Sequence, residues 1–130
     1  LSLLALDERP HPDHPAVPRG LAAAKDLVHA LSGTGARVWA LTRGAVSVDS
    51  RDPLTSPVQA ETWGFGRAVA LELPDTWGGL ADLPAEPDAR TLARLAALLG
   101  GDEDQIAVRP SGAYARRLAR MPLPEPSAGT

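Results

Sequence analysis

Gly64-Phe65-Gly66-Arg67-Ala68-Val69 is the one glycine pattern in this 130-residue chain that could be tested as a phosphate cradle. A dinucleotide-binding loop needs its glycines in the turn between a strand and a helix, with Gly or Ala at the sixth position, so that backbone N–H groups face the pyrophosphate. Here the sixth position is Val69, and Ser56-Pro57 reads as a helix start, which places both glycines inside the helix. Carbonyl reduction through a phenol fares no better. It needs a Tyr and a Lys four residues apart, the cation lowering the phenol pKa so that its proton can pass to the substrate oxygen. Tyr114 is the only Tyr, Leu118 stands where the Lys belongs, and the only Lys is Lys25. Ser47, Ser50, Ser56 and Ser111 lack a nucleophile-elbow context. His11 and His14 flank Asp13, but a third strong ligand is missing and the backbone is too rich in proline to be an aligning helix. Asp102, Glu103 and Asp104 read as a solvated turn. With no cysteine, thiolate ligands and thiol nucleophiles are excluded. The residues supply no catalytic set, no metal site and no cofactor loop.

The elements that would have to position such chemistry can be read in order. Leu1–Leu6 (LSLLAL) is a nearly continuous apolar run, the pattern of a buried strand, and 7–19, with four prolines, is a loop. From Gly20 to Leu31, the positions Leu21, Ala24, Val28 and Leu31 share one face of an amphipathic helix that ends at Gly33 or Gly35. Arg37–Leu41 is a strand and Thr42–Thr55 a long polar connection. Ser56 as cap, Pro57 in the first turn and Gln59 as the partner of a capping box predict a helix that Pro74 stops. Its inward face is expected at Ala60, Trp63, Arg67 and Leu71. Gly64 and Gly66 each give up about 1 kcal/mol of helix propensity, which predicts a close approach of another backbone. Trp77-Gly78-Gly79 reads as a turn and Gly79–Leu83 as a strand. Asp88 caps a third helix with Leu92, Leu95, Ala96 and Leu99 on its apolar face. Gln105–Arg109 and Ala113–Met121 flank Pro110-Ser111-Gly112 as a hairpin. Strand, helix and strand in alternation predict an α/β fold with a mostly parallel sheet. Trp63, Phe65 and Trp77, gathered in a chain poor in aromatics, are expected to centre its core.

Thirteen Lys and Arg against sixteen Asp and Glu leave no basic field, so nucleic acid is not an expected partner. No apolar run reaches the roughly 18 residues of a membrane span, so no membrane is expected either. Residues 122–130, with three prolines, have the composition of a linker.

The ordered series LSLLALDE (1–8), TRGAVSV (42–48), DPLTSPVQAETWGFGRAVALELP (52–74), WGGLADLP (77–84) and EDQIAVRPSGAYARRLAR (103–120) resembles the structural, non-catalytic subdomain of a ketoreductase domain from a bacterial modular type I polyketide synthase. The resemblance implies a truncated Rossmann-like fold over 1–121, cut at both ends, with 122–130 leading toward a catalytic subdomain. That second subdomain would hold the NADPH fingerprint and the catalytic Lys, Ser, Tyr and Asn; no position of this sequence matches those motifs. The implied partners are the catalytic subdomain of the same polypeptide and, indirectly, an acyl carrier protein, in the cytoplasm. No cofactor is expected in this chain, with NADPH in its neighbour. Structural and interface roles are expected at Trp63, Gly64, Gly66, Arg67, Trp77, Gly78, Gly79 and Tyr114. The alternative is a freestanding Rossmann-like module binding a nucleotide or metabolite.

Overall fold

A computed structural model describes residues 1–124; the expected linker falls beyond them from 125 on, and 122–124 are exposed and without regular structure. Four strands form one sheet in the order β1-β2-β3-β4: β1 is Val38–Arg43, β2 Trp77–Leu83, β3 Gln105–Arg109 and β4 Gly112–Ala115. The first three are parallel and β4 returns antiparallel to β3. Helices α1 (Arg19–Leu31) and α2 (Ala60–Glu72) cover one face, and α3 (Ala89–Leu98) covers the other. This is the α/β, mostly parallel sheet with a C-terminal hairpin that the alternation predicts.

The strand period of two sorts the core into two layers. Val38, Ala40 and Leu80 point toward α1 and α2 and pack with Val28, Trp63, Val69 and Trp77. Phe65 meets Trp77 edge-on, with ring centroids 6.4 Å apart, so the three aromatics do sit together in this layer. Leu41, Ala81, Leu83, Ile106 and Val108 point the other way, against Leu95 of α3 and the indole of Trp39. On α1, Ala24 and Val28 are buried, as the spacing predicts.

Several local expectations need correction. Leu1–Leu6 is not a strand: only Ser2 pairs, lying parallel beside Ala40, and Leu4–Leu6 turns into a 3-10 helix. The apolar run is only half buried, with Leu1 and Leu3 exposed, so continuous burial was the wrong reading. Pro57–Gln59 forms a 3-10 turn ahead of α2, and Ser56 makes no side-chain cap. Gln59, expected in a capping box, is buried and its side-chain oxygen accepts from the Arg43 N–H at 2.8 Å, closing the β1 edge beyond the Ser2 pairing.

The inward face of α2 is Thr62, Trp63, Gly66 and Val69, while Arg67 is exposed and Leu71 is 86% exposed. On α3, Asp88 caps as predicted, accepting from Thr91 N–H at 2.7 Å, and this bond holds its carboxyl below the usual carboxylate range. The buried positions there are Thr91 and Leu95, with Leu98 and Leu99 beside them, and Leu92 is exposed. Trp77-Gly78-Gly79 opens β2 rather than forming a turn, and β4 ends at Ala115, not at Met121. Past Ala115 the chain is held by backbone pairing of Arg116 to Gln105 and by the ion pair of Arg117 with Glu103, then runs on with Leu118, Met121 and Leu123 exposed.

Candidate interface groove

Parallel sheets usually bind ligands outside the carboxyl ends of their strands, at a point where the strand order reverses. Here the order runs straight from β1 to β3 without reversal, and the carboxyl ends are filled by the chain itself. Asp82, wholly buried on β2, accepts through Oδ1 from the Thr42 hydroxyl at 2.6 Å and from Ala45 N–H at 2.9 Å. Its Oδ2 accepts from Arg109 at 2.8 Å. The same guanidinium donates through Nε to Asp52 Oδ2 at 2.9 Å and through Nη2 to the Val46 carbonyl at 2.9 Å. Asp52 in turn accepts from Val48 N–H at 3.0 Å. Thr42 also accepts from the Trp63 indole at 2.9 Å, joining α2 to the network.

Among the described residues no buried side-chain nitrogen or oxygen lacks a partner. The ion pair therefore has the hydrogen bonds that a buried pair requires. Its effect is to clamp the loop between β1 and α2 over the strand ends. Asp82, Arg109 and Thr42 are not singled out by the sequence, and Asp52 reads there only as one of the charges, with Asp49 and Arg51, of the polar connection after β1. The available signals were a lone carboxylate inside the apolar run GLADL and an Arg closing QIAVR.

The glycines tested for a phosphate cradle lie inside α2, so their N–H groups do not line a strand-to-helix turn. Placed there, they do not form the strand-to-helix turn that a dinucleotide loop requires. A Cβ at Gly66 would stand 2.4 Å from the Trp77 ring and 3.0 Å from both methyls of Leu80. The close neighbours at Gly66 are thus side chains, not the backbone expected. Gly64 is exposed with nothing within 4 Å, so inside this chain its expected close approach is absent. Gly78 and Gly79 leave room for the Trp39 indole, which a Cβ at either position would meet within 2.7 Å. Gly66 thus makes room beside Trp77 in the layer under α2, and Gly78 and Gly79 make room for Trp39 in the layer under α3.

Trp63, Arg67 and Tyr114 come together elsewhere. Because β3 and β4 are joined by a hairpin, no crossover helix covers their face beyond α2, and a groove of about 480 Å³ remains there. Ala60, Trp63 and Arg67 form its α2 wall, Ala107 lies on its floor, and Tyr114 and Arg116 form the far wall. The Tyr114 phenol lies 2.8 Å from Ser111 Oγ, which anchors the ring at the hairpin. Arg117 also lines the groove but is already paired with Glu103, whose carboxyl that guanidinium holds low. Among the described residues Arg67 and Arg116 have no carboxylate partner. His11 and His14 stack with ring centroids 5.5 Å apart on the proline-rich loop, far in sequence from either region. No helix among the described residues is long and apolar enough to cross a membrane.

The comparisons with known proteins agree with this architecture. The chain is 54% identical over 129 residues to the pikromycin polyketide synthase component PikAII of Streptomyces venezuelae, matching 95% of this chain and 4% of that protein. It is 42% identical over 130 residues to the erythronolide synthase EryA2 of Saccharopolyspora erythraea, again with 4% of the relative covered. Two solved ketoreductases of modular polyketide synthases are similar in structure. A C2-type enzyme superposes with a TM-score of 0.89 at 53% identity, over 94% of this chain and 28% of the enzyme. An A-type structure gives 0.92 at 50% identity, over 99% and 28%. The chain thus spans a small part of each relative. With the model of the Rossmann fold domain of polyketide synthase extender module SpnB matching residues 2–118, the chain belongs to that family and is a Rossmann-like structural subdomain of the kind found in polyketide synthase ketoreductases.

Proposed function

We propose that this chain is a non-catalytic scaffold, which keeps folded the neighbouring catalytic subdomain of an NADPH-dependent β-ketoacyl reductase in a cytoplasmic modular polyketide synthase. In this reading the chain touches neither NADPH nor the β-keto group on the acyl carrier protein. Its work is to present a rigid surface. The observation that carries the reading is the sealed carboxyl end: Asp82, Arg109 and Asp52 hold the β1–α2 loop over the place where a Rossmann-like sheet takes its ligand. The same observation weighs against a freestanding nucleotide-binding module, because a nucleotide would have to displace a buried ion pair with all its hydrogen bonds made.

The test is made in the parent polypeptide. Deleting the chain should abolish soluble, active reductase, and supplying it as a separate polypeptide should restore some of that activity. Calorimetric titration of NADPH into the chain alone should give no binding heat. Full activity after deletion would overturn the scaffold reading, and micromolar NADPH binding by the chain alone would favour the nucleotide-binding alternative.

A further inference from the structure

The loop between β1 and α2 is closed on itself before it meets the rest of the fold. At its neck the Gly44 carbonyl accepts from Thr55 N–H at 3.1 Å and from Ser56 N–H at 2.8 Å, so the two ends lie side by side, as in a compact Ω-loop. Gly44 has φ +75°, and a Cβ there would run into the Thr55 hydroxyl, so the neck requires glycine. Inside the loop, Ser47 Oγ lies 2.6 Å from the Asp49 carbonyl and 2.7 Å from that of Asp52, and Arg51 N–H donates to Asp49 Oδ1 at 2.8 Å. Within 47–54 only Val48 and Asp52 are half-buried, and the other residues are exposed. Among the described residues, one polar contact leads from 47–54 to the rest of the chain: Asp52 Oδ2 accepts from Arg109 Nε at 2.9 Å. The same oxygen accepts Val48 N–H at 3.0 Å, so Asp52 both folds the loop and fastens it.

We infer that residues 47–54 form a salt-sensitive strap over the strand ends, latched by the Asp52–Arg109 pair, which opens locally while the seal beneath it stays shut. The two carboxylates on Arg109 differ in kind. The Asp82 side chain is wholly buried, and the guanidinium holds it through Nη2 while bonding to the Asp82, Val108 and Val46 carbonyls as well. The Asp52 side chain keeps 20% of its exposure and meets only Nε. Losing Asp52 therefore frees one donor of Arg109 and leaves its other bonds in place. An ion pair that water reaches is screened by salt, and a covered one far less, so rising ionic strength favours opening of the strap without loosening the sheet. An exposed segment with little buried apolar surface is also the kind that opens ahead of global unfolding. The inference goes beyond the scaffold reading and stands whether or not that reading holds.

The test follows amide hydrogen exchange in the intact parent polypeptide, in residues 47–52 of the strap and in 80–82 and 106–108 of the sheet. Asp52→Asn removes the charge of the latch at nearly constant shape. Asp49→Asn is the control: it removes the same charge from the strap, but its side chain bonds only to Arg51 among the described residues. After correction for intrinsic rates, Asp52→Asn should speed exchange in 47–52 about tenfold and leave both sheet segments unchanged. Asp49→Asn should exchange like the unmodified protein. In the unmodified protein, exchange in 47–52 should rise several-fold between about 0.1 M and about 1 M sodium chloride. That rise should vanish in Asp52→Asn and persist in Asp49→Asn. Unchanged exchange in Asp52→Asn overturns the inference, and so does exchange in 47–52 that follows the sheet segments under every condition, because the loop would then open only with the whole fold. Acceleration that spreads to 80–82 and 106–108, or failure of Asp52→Asn to fold, overturns it as well, since Asp52 would then hold the sheet rather than a strap.

Discussion

The two ends of the candidate constellation are built on opposite plans. At the carboxyl ends of the parallel strands, charge is buried and consumed internally: Asp82 is fully covered, and Arg109 spends its donors on Asp52, Asp82 and backbone carbonyls. At the α2–β4 flank, charge is exposed, and Arg67 and Arg116 meet no carboxylate among the described residues. The usual Rossmann arrangement reverses this, with an open strand end for a ligand and a closed flank. The difference follows from connectivity. A long β1–α2 loop supplies the plug, and a hairpin in place of a last crossover helix removes the cover from the flank. Buried, paired charge should govern stability, while unpaired charge at the rim should govern what the chain meets.

The strongest way to break that contrast is Asp82→Ala. The change leaves the Arg109 guanidinium buried with one carboxylate fewer and orphans Thr42 and Ala45 N–H, losses that together should cost about 3–5 kcal/mol. That is a large share of the roughly 5–15 kcal/mol typical of a domain. Chemical denaturation should show the midpoint collapsing or the chain failing to fold. A loss under about 1 kcal/mol would mean that water enters the strand ends and that they are not sealed.

The plug also shows where sequence reading stops. Sheet, helices and hairpin were legible because they rest on local periodicity and turn chemistry: Asp88 beside its helix, the alternation along α1, Pro110-Ser111-Gly112 between two strands. The plug was not, because its members are distant in the chain, Asp52 and Arg109 being 57 positions apart, and each alone reads as an ordinary surface charge. The same limit explains the inward face of α2. Trp63 was placed correctly from its size, but Arg67 and Leu71 were assigned to that face although Thr62, Gly66 and Val69 occupy it. A helix with small and polar residues inward and a leucine outward carries little amphipathic signal, so only tertiary contacts decide its orientation. The groove was half legible: Trp63, Arg67 and Tyr114 were singled out separately, and their convergence follows from strand order, which sequence does not encode locally.

A finer contrast lies within two residues of α2. Gly66 faces the Trp77 ring and the Leu80 methyls, so Gly66→Ala should lose about 1–3 kcal/mol through overlap in a packed core, more than the helix propensity it gains. Gly64 has open space around it in this chain. Gly64→Ala should therefore raise stability by up to about 1 kcal/mol. The two melting temperatures, measured on the chain alone, should move in opposite directions. If both rise, the packing against Trp77 is looser than the distances indicate. If Gly64→Ala gains in the chain alone but lowers reductase activity in the parent polypeptide, then the outer face of α2 also lies against a neighbour.

The smallest expected effect on stability is the one that sharpens the contrast most. Arg67 is exposed, makes no ion pair among the described residues, and sits at a helix position where Ala is the better helix former. Arg67→Ala should shift the stability of the chain by no more than about 0.5 kcal/mol, the ordinary range for a surface substitution away from caps and networks. Arg109→Ala belongs at the other extreme, because it removes the donor that ties Asp52, Asp82 and Val46 together. Measured side by side in one denaturant series, the two arginines should differ by several kcal/mol. Comparable losses would mean that the exposed guanidinium holds the groove walls together within this chain, and the flank would then be as closed upon itself as the strand ends.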